Sequence, residues 1–151
     1  MREIIFRGKR IDNGEWVEGD LLQAPFHKNN KLNWQYSIMA QKAWADNYIV
    51  IPETVGQYTG LKDKNGIKIF EGDIVQGFID ITETYSEGNI EDGSLCWHDE
   101  IVNTIAVKEE VYYDVSAFRL GEFELAYFRT GNIEVIGNVY DNPELLKGGA
   151  E

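Results

Sequence analysis

The densest group of chemically capable residues is Cys96-Trp97-His98-Asp99-Glu100. On a strand, Cys96 and His98 would share a face, so a thiol nucleophile with an imidazole base, or half of a metal site, is geometrically open. Both readings run short of partners. A nucleophile and base need a third group to orient them. Zinc takes four ligands, and the chain holds one Cys and two His, His27 and His98. The plainer reading makes Cys96 a small buried hydrophobe beside Trp97. A second candidate is the acid quartet Glu18, Asp20, Glu71 and Asp73, from two copies of Glu-Gly-Asp. Hard divalent cations bind several such oxygens. Turn chemistry accounts for the same residues. Gly19 and Gly72 supply positive φ, while Asp20 and Asp73 accept a backbone N–H and lock a corner into the next strand. The copies also lack the alternating acids of a calcium loop. No catalytic residue, metal or cofactor is expected.

These corners belong to a longer repeat. Asp12-Asn13-Gly14-Glu15-Trp16-Val17-Glu18-Gly19-Asp20 recurs as Asp63-Lys64-Asn65-Gly66-Ile67-Lys68-Ile69-Phe70-Glu71-Gly72-Asp73. Asn13-Gly14 and Asn65-Gly66 tolerate the positive φ of a hairpin turn, so each copy predicts a hairpin followed by a corner. Two-residue turns would set Ile11 opposite Trp16, Asp63 opposite Lys68 and Leu61 opposite Phe70. The second copy is one residue longer between Gly and Glu, so one copy is expected to carry a β-bulge. The first hairpin should be the more exposed and mobile. Further strands are expected at 3–7, 15–17, 48–51, 67–70, 73–81, 100–107, 111–115, 123–128 and 133–140, rich in β-branched and aromatic residues between turn signals. Leu32, Tyr36, Met39 and Ala43 fit a helix over 34–45, where a strand competes. Asp141 or Asn142 caps a last short helical turn with Pro143 at its first position. Residues 82–99 read as a long loop or irregular hairpin between core strands, and loops of that length carry contacts.

Charge narrows the function further. The net charge of -12 is uneven: residues 80–110 carry nine acids and one base, whereas 1–79 balance at ten of each. Such a field repels nucleic acid and anionic lipid, so Trp16, Trp34, Trp44 and Trp97 do not read as a base-stacking platform. No P-loop, dinucleotide fingerprint or nucleophile elbow is present. No apolar run reaches the ~18 residues of a membrane helix, and the N-terminus lacks signal-peptide features. The lone Cys96 suits a reducing compartment. Cytoplasmic localisation is the expectation.

Three blocks, at 6–22 (FRGKRIDNGEWVEGDLL), 50–75 (VIPETVGQYTGLKDKNGIKIFEGDIV) and 133–146 (IEVIGNVYDNPELL), together resemble the phage YopX-like family. The resemblance implies a bacteriophage or prophage protein, mainly β, with antiparallel hairpins, little helix and a C-terminal SH3-like barrel. It brings no activity, cofactor or catalytic residue to this chain. The expected organisation is a hairpin region at 1–49 packed on a barrel domain at 50–146 with an acidic insertion at 82–99, then a flexible tail at 147–151. Function is then expected from a non-catalytic binding or self-assembling module, a homo-oligomer with a possible host or phage protein partner. Glu83, Glu87, Glu91 and Asp92 are the candidate partner-binding residues. Asn13, Gly14, Gly19, Asp20, Asn65, Gly66, Gly72 and Asp73 are assigned to structural turns. Two other readings stand: an acidic DNA mimic that occupies a host nucleic-acid-binding protein, and an enzyme using Cys96 and His98.

Overall fold

Apolar runs punctuated by Gly, Asn and Asp become antiparallel strands along nearly the whole chain. The structure, a computed structural model, describes residues 3–40, 46–88, 95–114, 117–125 and 132–147. One sheet contains β1 (Phe6–Lys9), β2 (Trp16–Lys28), β3 (Lys31–Met39), β4 (Asn47–Ile49), β5 (Gly56–Lys62) and β6 (Lys68–Phe70), in the order β4-β3-β2-β1-β5-β6. The other contains β7 (Asp73–Gly88), β8 (Leu95–Asp114), β9 (Ala117–Leu120), β10 (Phe123–Glu124) and β11 (Ile133–Asn138), in the order β10-β9-β8-β7-β11. A short helix, α1 (Glu144–Lys147), follows. The core cluster joins Ile69 of the first sheet to Val75, Val111, Leu120 and Ile133 of the second, with Leu125 beside them. Fully burying side chains of this kind contributes roughly 1.5–3 kcal/mol each.

The protein is mainly β, as the sequence reading expects, but the second sheet stays open. Closing it into an SH3-like barrel requires a ladder between its edge strands β10 and β11, and none forms among the described residues. With two residues, β10 offers almost nothing to pair.

Both repeated hairpins form, with longer turns than two residues. In the first, Arg10 N donates to Glu15 O at 2.8 Å and Lys9, not Ile11, faces Trp16. Side chains widen this loop: Arg10 clamps Asp12 at 2.9 and 2.6 Å, and Glu15 N donates to Asn13 Oδ1 at 3.0 Å. In the second, Asp63 N donates to Ile67 O at 2.8 Å, which leaves a three-residue loop. Lys62 therefore faces Lys68, and Tyr58 faces Phe70, in place of the expected Asp63–Lys68 and Leu61–Phe70 pairs. Lys68 pairs instead with Glu18 at 3.0 Å. The irregularity lies on β5 between Tyr58 and Lys62, ahead of the second copy and not within either repeated segment where the bulge was expected. There Gly60 has φ 88°, and Thr59 Oγ1 donates to Ile69 O at 2.8 Å and accepts from Leu61 N at 3.2 Å.

The corners differ more sharply. Gly14, Gly66 and Gly72 have φ of 74°, 80° and 83°. Gly19 does not; it lies inside continuous β2 and is required for close approach, since a Cβ there would meet Met39 O at 2.1 Å. Asp20 simply faces Met39 across the ladder, so the first copy has no corner at Gly19-Asp20.

Two long hairpins reach beyond the body. In β2–β3, Asn29 and Asn30 take φ of 53° and 58° and make a tight turn. The strand reading therefore wins over the helix at 34–39, and 41–45 lie outside the described residues. Of the two readings for 82–99, the described residues take the irregular hairpin, and 89–94 lie outside them. Residues 82–88 and 95–99 extend the β7–β8 ladder, with Val102 as the extra residue of a bulge. Near the C-terminus, the Asn142 carbonyl accepts Leu145 N at 3.0 Å, while its side chain takes Asn138 N and Asp141's turns elsewhere. No described helix is long and apolar enough to cross a membrane.

Candidate functional site

The two Glu-Gly-Asp copies do not converge on a shared ion. Among the described residues no three His, Cys, Asp or Glu side chains are placed to hold a metal. Glu18 is paired with Lys68, while Glu71 Oε2 accepts Gln57 N at 3.4 Å. Asp73, by contrast, is only 1% exposed and lies 2.6 Å from Arg7. Its other oxygen accepts Phe70 N at 2.8 Å, which ties the corner to β6. Burial pushes the Asp73 carboxyl above its usual value; the Arg7 charge and the Phe70 N–H oppose this without cancelling it.

Arg7 is built into an aromatic sleeve. Its guanidinium lies 4.8 Å from the Trp16 ring centroid and 4.9 Å from that of Phe70. Stacking of this kind suits a planar, weakly hydrated cation. Arg7 Nε, inside the sleeve, has no hydrogen-bond partner among the described residues. Around this centre, the Trp16 indole N–H donates to Asp141 at 2.7 Å and Lys9 donates to the same carboxylate. These two bonds hold Asp141 at about 2. Glu110, pushed up by burial and then by Glu71, completes an acidic margin beside Tyr140.

A second buried carboxylate, Asp63, also joins the sheets. Asp63 accepts from Asn65 N and Ile67 N in its own turn at 2.8 and 2.9 Å, and from Val135 N of β11 at 3.0 Å. Burial raises its carboxyl, and the three N–H groups together outweigh that and hold it below the usual range. Lys64–Glu134 at 2.6 Å reinforces the seam. These groups satisfy one another, so the seam reads as a fastening between sheets.

The surfaces that face outward are the two hairpins. On β2–β3 the register sets Leu21 against Ile38, Gln23 against Tyr36, Pro25 against Trp34 and His27 against Leu32, all on one face. That face begins in the core at Ile38, 0% exposed, and runs out to Trp34 at 53% and Leu32 at 57%. It is a core face prolonged beyond the body. Its edges are open too: β4 pairs β3 only at Ser37, Ile38 and Met39, and β1 pairs β2 only at Trp16 to Gly19. The period-two spacing of Leu32, Trp34, Tyr36 and Ile38 was the signal in the sequence for this face.

The sequence-nominated partner residues divide. Glu83 and Glu87 lie on β7, facing Glu100 and Cys96 of β8; Glu91 and Asp92 lie outside the described residues. His98 is exposed and faces Tyr85, and Trp97 is 70% exposed. The Cys96 side chain lies outside what the structure describes. Over the second sheet, along β7 and β8 and beside α1, runs an open cleft of about 1300 Å³, lined by Gln76, Phe78, Val107, Tyr112 and Phe123 among others. Its Glu134 is already engaged by Lys64 and Gln76.

Two open antiparallel sheets, fastened by interior carboxylates and carrying two protruding hairpins, define a mainly β protein whose outward features are extended surfaces. The family model described as YopX protein matches residues 5–147, and the chain belongs to that family. No curated protein matches it. Among solved structures it is similar to protein EF1440 from Enterococcus faecalis, at 24% identity over 97% of this chain and 99% of that one, with a TM-score of 0.46.

Proposed function

We propose that this protein is a non-catalytic binding and self-assembly module, of phage or prophage origin, acting without a cofactor in the cytoplasm of a host bacterium. The observation that carries the reading is the apolar face of β2–β3, which continues from buried Ile38 to exposed Trp34 and Leu32. Apolar surface continuous with a core is covered in an assembly, because its burial is what stabilises association. Open strand edges beside it offer backbone groups for the same contact. Light scattering on the eluting protein tests the reading. A mass that is a multiple of 17.3 kDa is expected. A monodisperse monomer at every concentration would overturn self-assembly.

One observation favours a second reading, a decoy for a host nucleic-acid-binding protein. The register sets Glu83 against Glu100, with Glu87 four positions along the same strand, in a long hairpin whose sequence concentrates anions. Replacing Glu83 and Glu87 with Gln should then abolish capture of that host protein; undiminished capture removes the decoy.

A further inference from the structure

The two hairpins carry opposite charge. Residues 21–45 contain no acid, and their bases include Lys28 and Lys31, which face each other at the β2–β3 tip beside His27. In a chain of net charge -12 this is an island of positive charge. The β7–β8 hairpin is the reverse: its described strands carry Asp80, Glu83, Glu87, Asp99 and Glu100 in the half distant from the core. Its register places Glu83 directly opposite Glu100. Like charges set opposite in a ladder destabilise it, and a neighbouring cation relieves them.

We propose that the β2–β3 hairpin of one copy docks on the β7–β8 hairpin of a second copy, with Lys28 and Lys31, which alternate to the face opposite Trp34, against the Glu83–Glu100 pair. The inference rests on the assembly reading above and adds which surfaces meet. A second copy is the occupant that the charges favour. Every copy brings both a cationic hairpin and an anionic one, so each docked pair neutralises what each copy alone leaves exposed. The contact joins different surfaces of the two copies. It therefore either closes by a two-fold exchange or repeats head to tail into a ring.

A charge-swap experiment on the full chain tests it. One variant carries Lys28→Glu with Lys31→Glu; the other carries Glu83→Lys with Glu87→Lys. The second places a lysine opposite Glu100, so its fold gains a cross-strand ion pair, and circular dichroism checks that both variants fold. Each variant alone should associate at least about tenfold more weakly than the parent at low salt. Mixed in equal amounts they should recover association, because one contact is then native and the other is complementary in reverse. Loss in each variant without recovery on mixing would overturn the pairing. Unchanged association in both variants would overturn it too, and leave the assembly reading standing. A parent protein that stays monomeric would overturn both.

Discussion

Arg7, on the first strand of one sheet, and Asp73, at the start of the longest hairpin of the other, meet at 2.6 Å with the carboxylate 1% exposed. Removing two charges from water costs several kcal/mol per ion, and the pairing repays this only where geometry and further hydrogen bonds are good. Here Phe70 N–H fills the second carboxylate oxygen and two aromatic rings flank the guanidinium. The pair thus contributes chiefly by fixing how the sheets meet.

Breaking one half should be severe. Asp73→Ala leaves Arg7 buried without its counter-charge and should cost about 3–5 kcal/mol, whereas replacing both residues with apolar ones should recover most of that loss. Urea unfolding midpoints measure both. A single substitution costing under about 1 kcal/mol would mean that water screens the pair.

Acid should weaken the protein through Asp141. Its carboxyl is lowered from 3.8 to about 2 by Lys9 and the Trp16 indole. A lowered acid stabilises fully above its unfolded pKa, so this contribution is present above about pH 4 and lost as pH falls through about 2. With the side chain about one-third exposed, solvent screening brings the effect to about 1 kcal/mol. Asp73 runs the other way: its raised carboxyl lends stability below its unfolded pKa, lost as pH rises through the folded one. Asp141→Asn should therefore lower the melting temperature at pH 7 and converge with the parent near pH 2. Parallel melting curves at both pH values would sink this assignment.

Two glycines of similar φ should respond differently to alanine. Gly66 has open space around its missing Cβ, so Gly66→Ala should cost only the left-handed backbone term, about 1–2 kcal/mol. At Gly72 a Cβ would also lie 3.0 Å from the Tyr140 ring, and Gly72→Ala should cost clearly more. Equal unfolding midpoints for the two variants would show that Tyr140 moves aside freely.

Trp34 separates stability from association. Exposed substitutions away from special features shift stability by within about 0.5 kcal/mol, so Trp34→Ser should melt like the parent while its oligomer dissociates at higher protein concentration. A variant that assembles normally would place the contact elsewhere.

Both Asn-Gly turns are legible in the sequence, because turn residues announce themselves locally, but their lengths are not. Those depend on Arg10 reaching Asp12 and on Asp63 reaching the amides of its own loop. The β2–β3 hairpin was masked by residues at 32, 36, 39 and 43 that also fit a helix; the alternation at 32, 34, 36 and 38 was the stronger signal. The inner part of the β7–β8 ladder was legible as strands at 73–81 and 100–107, whereas its outer part, polar and acidic, left loop and irregular hairpin open. Asp73 was legible as the lock of a corner. Its charge partner was not, since Arg7 is distant in sequence and no local rule joins them.

The Arg7–Asp73 contact also bears on the order in which the molecule can be completed. Every strand of the first sheet leaves the ribosome before Asp73 does. The sleeve itself is incomplete until Phe70, only three residues ahead of Asp73, has been made. The residue that opens the second sheet is thus the one that neutralises the buried cation of the first.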